Sequence, residues 1–110
     1  MIRKTFESEI QQVKDEVILL GSMVEHAIIG SVEALKKRDV AAAERIIAED
    51  KEINKKRFAI ENQLMILIAT QQPMAHDLRL LASTMEIISE LERMGDYAKG
   101  IANINLRMGE

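Results

Sequence analysis

Residues 6–27 read FESEIQQVKDEVILLGSMVEHA, and apolar side chains recur in this stretch every three or four positions. That spacing places them on one side of an α-helix, which we predict from Phe6 to Lys37. Gly21 and Gly30 lie inside this helix, and each costs about 1 kcal/mol relative to Ala. We therefore expect a neighbouring helix to pack closely against them. The predicted apolar stripe consists of Phe6, Ile10, Val13, Val17, Leu20, Val24 and Ala27.

A second helix is predicted from Val40 to about Thr70. Basic residues 36–38 suit the negative end of the first helix dipole, and Asp39 is a candidate N-cap for the second. Its periodic positions turn polar in the middle, although the steps of three and four continue. These positions are Ala43, Ile47, Asp50, Asn54, Arg57, Glu61, Leu64 and Ile68.

The only proline, Pro73, predicts a turn at residues 71–73 and a third helix from Met74 to about Leu106. Its inward positions are predicted to be Leu78, Leu81, Met85, Ile88 and Ala102. Short turns between long helices imply antiparallel neighbours. The predicted fold class is therefore all-α, a single antiparallel three-helix bundle over residues 1–110.

Composition argues against several classes of protein. The net charge is −3 and there are three aromatic residues, which is not the basic, aromatic-rich pattern of a nucleic-acid binder. No cysteine is present, so disulfides and thiolate metal sites are excluded, as suits a cytoplasmic protein. The N-terminus has no apolar run typical of a signal peptide. The longest unbroken apolar run, residues 64–69, is too short to span a bilayer.

Two pairs of oxygen-bearing side chains form the candidate site. Asp50 and Asn54 lie four residues apart on the second helix, as Glu92 and Asp96 do on the third, so each pair shares a helix face. In a hairpin centred on Pro73, residues whose numbers add to 146 lie at similar heights. Asp50 matches Asp96 in this way, and Asn54 matches Glu92.

Carboxylates held close together repel one another unless a cation intervenes. Oxygen ligands suit hard cations, so the predicted metal is iron, Mg²⁺, Mn²⁺ or Ca²⁺. Gly95, between the two acids of the third helix, leaves room for a close approach. The alternative is that these acids are solvated and paired within their own helices, with Arg93, Lys51 and Lys55 in reach.

Four sequence motifs resemble those of the PhoU family. Glu92-Arg93-Met94-Gly95-Asp96, within LERMGDYAKGIAN, resembles the family's Glu-Arg-Ile-Gly-Asp core. Residues 46–54, IIAEDKEIN, resemble its second-helix motif, in which Asp is followed four residues later by Asn or Asp. Residues 72–79, QPMAHDLR, resemble its turn into the third helix, and residues 21–25, GSMVE, a first-helix motif. The four motifs occur in the family's order.

The resemblance implies a fold of three-helix bundles and metal clusters held by such motif pairs. Carried across, the metal ligands are Asp50, Asn54, Glu92 and Asp96. It also implies an adaptor that restrains phosphate uptake and signalling, in contact with a phosphate ABC transporter and a membrane sensor histidine kinase. The chain would then reach the membrane only through these partners. Family members usually carry two tandem repeats, whereas this chain holds one.

Two hypotheses compete with a metal-binding adaptor. One is a structural oligomerisation module, whose acidic side chains only keep its surface hydrated. The other is a small helical enzyme of the mutase type, which needs inward-facing Arg and Lys, and only Arg57 breaks the second helix's apolar register in that way. We therefore predict no enzyme activity.

We also predict a homodimer, because helices that are apolar on more than one face usually have a further surface to cover. The residues of the first helix that extend beyond its core stripe are Ile18, Leu19, Ile28 and Ile29.

Overall fold

Three long α-helices make up the computed structural model, which describes residues 2–109 and their side chains from residue 5 onward. They are α1 (Ile2–Lys37), α2 (Val40–Gln71) and α3 (Ala75–Met108). Each helix packs against both others in a bundle of 60 × 18 × 16 Å. The predicted all-α, antiparallel three-helix fold is confirmed, and the described residues include no β-strand.

Both predicted turns lie where the sequence places them. Arg38 ends α1 with a left-handed φ of 54°. Asp39 then caps α2, because its Oδ1 accepts a hydrogen bond from the backbone N–H of Ala42 at 3.0 Å. Gln72, also left-handed, ends α2, and its N–H donates to the carbonyl oxygen of Ile68 at 3.2 Å. These turns are short enough to bring consecutive helices alongside each other.

Every helix buries residues spaced alternately three and four apart, the heptad pattern of coiled-coil packing. The predicted stripe of α1 is confirmed, with only Val17 less than fully buried. On α2 the stripe is shifted at half of the predicted positions. Ile47, Asn54, Glu61 and Ile68 lie partly buried at its edge. The residue before each of them, Ile46, Ile53, Ile60 and Leu67, is buried in the core instead. The buried residues of α2 are Ala43, Ile46, Asp50, Ile53, Arg57, Ile60, Leu64 and Leu67.

On α3 the inward prediction is wrong for Leu78, which is 44% exposed. It lies three residues before the buried Leu81 but beside the heptad stripe rather than on it. Met85 is partly buried for the same reason. The buried residues of α3 are Leu81, Thr84, Ile88, Gly95, Ala98, Ala102 and Asn105.

The glycines of α1 differ in their surroundings. A Cβ added at Gly30 would come within 3.2 Å of Ile46 Cδ1, so the expected close approach occurs there. At Gly21 an added Cβ would meet nothing within 4 Å. The predicted close packing is therefore right for Gly30 and wrong for Gly21, because only Gly30 faces a core side chain of α2.

Helix α1 carries apolar side chains outside its core stripe as well. Ile18 is 68% exposed and Ile29 is 57% exposed, while Ile28 is partly buried. An 18-residue window within residues 5–37 has a mean hydropathy of 1.5 and is 28% buried. By length and composition alone it meets the criterion for crossing a membrane, a criterion that core helices of soluble proteins also meet.

Candidate functional site

Three of the four predicted ligands, Asp50, Asn54 and Glu92, lie along the groove between α2 and α3, where contacts join the two helices. Asp50 is buried, Asn54 and Glu92 are partly buried, and Asp96 is exposed. The heptad explains the depth of Asp50, which occupies a core position of α2 between Ile46 and Ile53. The groove therefore runs from a buried carboxylate out to solvent.

Asp50 is held from three directions. The Asn54 amide donates a hydrogen bond from Nδ2 to Asp50 Oδ2 at 3.1 Å. The ammonium of Lys99, on α3, lies 3.6 Å from the same oxygen. A Cβ added at Gly95 would lie 4.0 Å from Asp50 Oδ1, so α3 approaches the carboxylate closely where it lacks a side chain. A carboxylate taken out of water needs such partners, because an unpaired buried charge is strongly destabilising.

Arg57 occupies the core position one heptad after Asp50, and its guanidinium joins the two helices. Its Nη2 lies 3.3 Å from Glu92 Oε2 and donates to Asn54 Oδ1 at 3.4 Å. Its Nη1 donates to both carboxylate oxygens of Glu61 at 3.3 Å, and the guanidinium carbon lies 4.1 Å from the centroid of the Phe58 ring. A planar fork of donors suits this shared role between carboxylates and an aromatic face.

Lys99 and Arg57 thus connect three of the four predicted ligands. Asp50, Asn54 and Glu92 belong to one polar network, whereas Asp96 makes no hydrogen bond or ion pair within the described part of the chain. The height argument placed Asp50 beside Asp96 and Asn54 beside Glu92, whereas the ion pairs across the helices join Asp50 with Lys99 and Arg57 with Glu92, three residues further along. It could not orient Asp96, which follows Gly95 by one residue and therefore points about 100° away from it.

Sequence reasoning missed the two cations as partners across the helices. A signal was available: Asp50 and Lys99 have numbers that add to 149, as Arg57 and Glu92 do. Each helix therefore carries an acid followed seven residues later by a base, and because the helices are antiparallel, the acid of each lies opposite the base of the other. The shared sum exceeds 146 by three, so equal height about Pro73 alone would not have selected either pair.

Carboxylate and amide oxygens are the donors that hard cations prefer, and Asp50, Asn54 and Glu92 supply them within one polar network. The carboxylates of Asp50 and Glu92, however, each contact a basic side chain. Among residues 5–109 no three His, Cys, Asp or Glu side chains are grouped so as to hold one ion. The residues are of the type that binds a hard cation, but the described arrangement, in which Lys99 and Arg57 contact Asp50 and Glu92, does not group them around one ion.

A separate groove of about 400 Å³ lies between α1 and α2 and contains none of the four candidates. Its floor is apolar and its rim carries the polar side chains. The lining residues are Ser22, Met23, His26, Ala27, Glu49, Glu52 and Ile53.

Comparison with known proteins identifies a consistent set of relatives. A family profile described as PhoU domain matches residues 17–104. The phosphate-specific transport system accessory protein PhoU homolog of Clostridium acetobutylicum is 43% identical over 109 residues, which is 98% of this chain and 50% of that protein. The PhoU accessory protein of Escherichia coli K12 is 36% identical over 101 residues, covering 92% of this chain and 42% of that protein.

The fold has a solved counterpart as well. The crystal structure of PhoU from Pseudomonas aeruginosa superposes with a TM-score of 0.89 at 30% sequence identity. The superposition covers 94% of this chain and 49% of that one. The chain thus spans about half the length of the relatives that it matches.

Proposed function

The chain belongs to the PhoU family, and from this premise we propose that it is a regulatory adaptor of phosphate transport that works by protein contact rather than catalysis. The similarity over nearly the whole chain to proteins named as phosphate transport accessory proteins carries the proposal. Its partners on this hypothesis are a phosphate ABC transporter and a membrane sensor histidine kinase, met at the cytoplasmic face of the membrane. No nucleic acid takes part.

Affinity capture from a membrane fraction tests this contact role. The tagged chain should recover transporter subunits or the kinase. Deleting its gene should change phosphate uptake, and complementation should restore it. Recovery of unrelated soluble proteins alone, with uptake unchanged by the deletion, would contradict the proposal.

We further propose that the α2–α3 groove binds a hard cation through Asp50, Asn54, Glu92 and Asp96. The carboxylate and amide oxygens of Asp50, Asn54 and Glu92, which share one polar network, support the proposal. Replacing Glu92 and Asp96 by Ala should abolish binding in a metal-content measurement, because it removes both ligands of α3. Equal metal content in the parent and the double variant would rule the site out.

A second candidate function is a structural helical module in which these acids only form ion pairs. The contacts of Asp50 with Lys99 and of Glu92 with Arg57 favour it, because they neutralise both carboxylates without a metal. A metal titration of the parent chain decides between the two, since the structural module predicts no saturable binding of iron, Mg²⁺, Mn²⁺ or Ca²⁺.

The chain should also form a homodimer through the outer face of α1. The exposed Ile18, Ile29 and Val32 repeat at helical spacing on that face, and a symmetric pair is the commonest closed arrangement for covering such a surface. The relatives are about twice as long as this chain, which is consistent with a second bundle beside the first.

A further inference from the structure

We propose that the groove between α1 and α2 is a docking site for a basic amphipathic helix of a partner protein. The docking site rests on the contact role proposed above and gives that role a surface and a partner chemistry. Three features of the groove support it: a gap in the packing with an apolar floor, unpaired carboxylates on the rim, and an elongated shape.

The groove exists because α1 carries a small side chain at a core position. Leu20 and Ala27 are seven residues apart, so they occupy the same heptad position, and both are buried. The shorter side chain of Ala27 leaves an opening of about 400 Å³, whose floor also includes Met23 and Ile53. Covering these apolar side chains with an apolar group would be favourable, because it removes their surface from water.

The rim of the opening is acidic. Glu49 and Glu52 border it from the exposed side of α2, and neither makes a hydrogen bond or an ion pair with residues 5–109. Among the described residues, the lining holds His26 but no Lys or Arg that would neutralise the two carboxylates. Since the whole chain also has a net charge of −3, the local and the overall charge both attract a cationic partner.

The shape of the groove suits a helix. The opening continues along the helix pair into a second depression of about 280 Å³, with which it shares Met23 and Glu52. Together the two reach from His26 to Glu16 on α1, which is about 15 Å at 1.5 Å per residue. A trough of that length between two helices accepts a third helix of about three turns, whose apolar side chains enter it every three or four residues.

The charges of the second depression restrict where the partner helix must be basic. Lys56 there is already paired with Glu16, with Nζ and Oε1 2.5 Å apart, and the exposed Lys55 borders the same depression. Basic side chains are therefore needed only at the end of the partner helix that lies beside Glu49 and Glu52.

A second copy of this chain fits the groove less well than a basic helix does. The exposed apolar residues Ile18 and Val32 of α1 have the exposed Glu25 midway between them, at seven-residue spacing. Placing that face on the groove would bring Glu25 toward the acidic rim, where like charges repel.

The experiment measures the binding of two designed peptides to the folded chain by fluorescence anisotropy. Each peptide has about 18 residues, long enough to form a helix, with Leu at the heptad core positions. The basic peptide carries Arg beside the Leu residues at one end, and the acidic peptide carries Glu at the same positions. The parent chain should bind the basic peptide and not the acidic one.

Charge reversal on the rim should remove this binding. Glu49→Lys together with Glu52→Lys should weaken it by about 10- to 100-fold, because two attractions become two repulsions. Glu44→Lys with Glu86→Lys is the matched control, since it changes the net charge equally at exposed positions outside the groove. The control should weaken binding by less than about 3-fold, because charges distant from the peptide are screened by salt.

Filling the gap should block the peptide without any change in charge. Ala27→Leu places a larger side chain in the opening and should weaken binding by about 10-fold or more. Thermal melting establishes that this variant is folded, and the exposed charge variants decide the question if it is not.

Several results would overturn the docking site. These are no binding of the basic peptide to the parent, equal binding of both peptides, or equal weakening in the two charge-reversed variants. Loss of the dimer mass in the Glu49→Lys, Glu52→Lys variant, measured by light scattering, would identify a second copy as the occupant and overturn the partner helix.

Membrane capture separates the docking site from the contact role on which it rests. If the Glu49→Lys, Glu52→Lys variant recovers transporter subunits or the kinase as well as the parent does, the groove is wrong and the contact role stands. If neither recovers them, the contact role is contradicted, while the peptide titration still decides whether the groove binds a basic helix.

Discussion

The outer face of α1 offers the most direct test of self-association. Ile18 and Ile29 lie eleven residues apart, almost exactly three helical turns, and so point the same way. We expect replacement of both by Lys to convert a dimer into a monomer, because each change puts a charge where an apolar side chain would be covered.

The magnitude can be worked from the exposure of the two side chains. Full burial of an Ile side chain contributes about 1.5–3 kcal/mol. Because 68% of Ile18 and 57% of Ile29 remain to be covered, burial of the two contributes at most about 2–4 kcal/mol per subunit on that scale. A twofold interface contains each residue twice, so the double substitution should remove roughly 4–7 kcal/mol. At 1.4 kcal/mol per factor of ten, this upper estimate corresponds to a rise in the dissociation constant of about 1,000- to 100,000-fold.

Light scattering during gel filtration measures this directly. The parent should have twice the 12.4 kDa mass of the chain at micromolar concentration, and the Ile18→Lys, Ile29→Lys variant should have the single mass. A matched control places Lys at Ala48 and Asn62, which are exposed on α2 rather than on α1, and it should remain dimeric. A parent of 12.4 kDa throughout the micromolar range, or a double variant that keeps the dimer mass, would refute the interface.

The bundle itself yields further predictions for the free energy of unfolding, each measured by urea denaturation. Leu64→Ala, at a fully buried position, should cost about 2–5 kcal/mol, whereas Ile66→Ala, half exposed on the same helix, should cost about 1 kcal/mol or less; equal effects would mean that the heptad register is wrong. Asp39→Ala should cost about 1 kcal/mol through loss of the α2 cap, and an unchanged midpoint would contradict that role. Gly21→Ala should stabilise by about 0.5–1 kcal/mol, while Gly30→Ala should gain less, because its Cβ would lie 3.2 Å from a core isoleucine; a larger gain at Gly30 would contradict this packing.

Much of the fold could be predicted from the sequence, because the strongest signals are local. Pro73 and Asp39 act through the backbone within a few residues, and both mark helix ends in the structure. The apolar stripe of α1 is nearly free of polar residues, so its periodicity was unambiguous. Leu78 was misplaced because a single apolar residue near a helix start satisfies either of two registers, and only packing against the other helices decides between them.

The site was less predictable because it depends on contacts between helices. Equal height in a hairpin placed Asn54 near Glu92, and both side chains contact Arg57 Nη2. Height carries no information on rotation about the helix axis, and that rotation separates the exposed Asp96 from the buried Asp50. Spacing within each helix also could not show that Arg57 of α2 would contact Glu92 of α3.

The heptad positions of Asp50 and Arg57 show what the polar centre of α2 does for the bundle. Both occupy sites that an apolar residue would fill with less loss of hydration, so they weaken the core that α2 could otherwise form. Their pairs with Lys99 and Glu92 form in only one alignment of α2 against α3, since sliding either helix by a heptad separates both pairs at once. A buried polar contact of this kind specifies register at a cost in stability. The same four side chains therefore hold the two helices in the alignment that joins Asp50, Asn54 and Glu92 in one polar network.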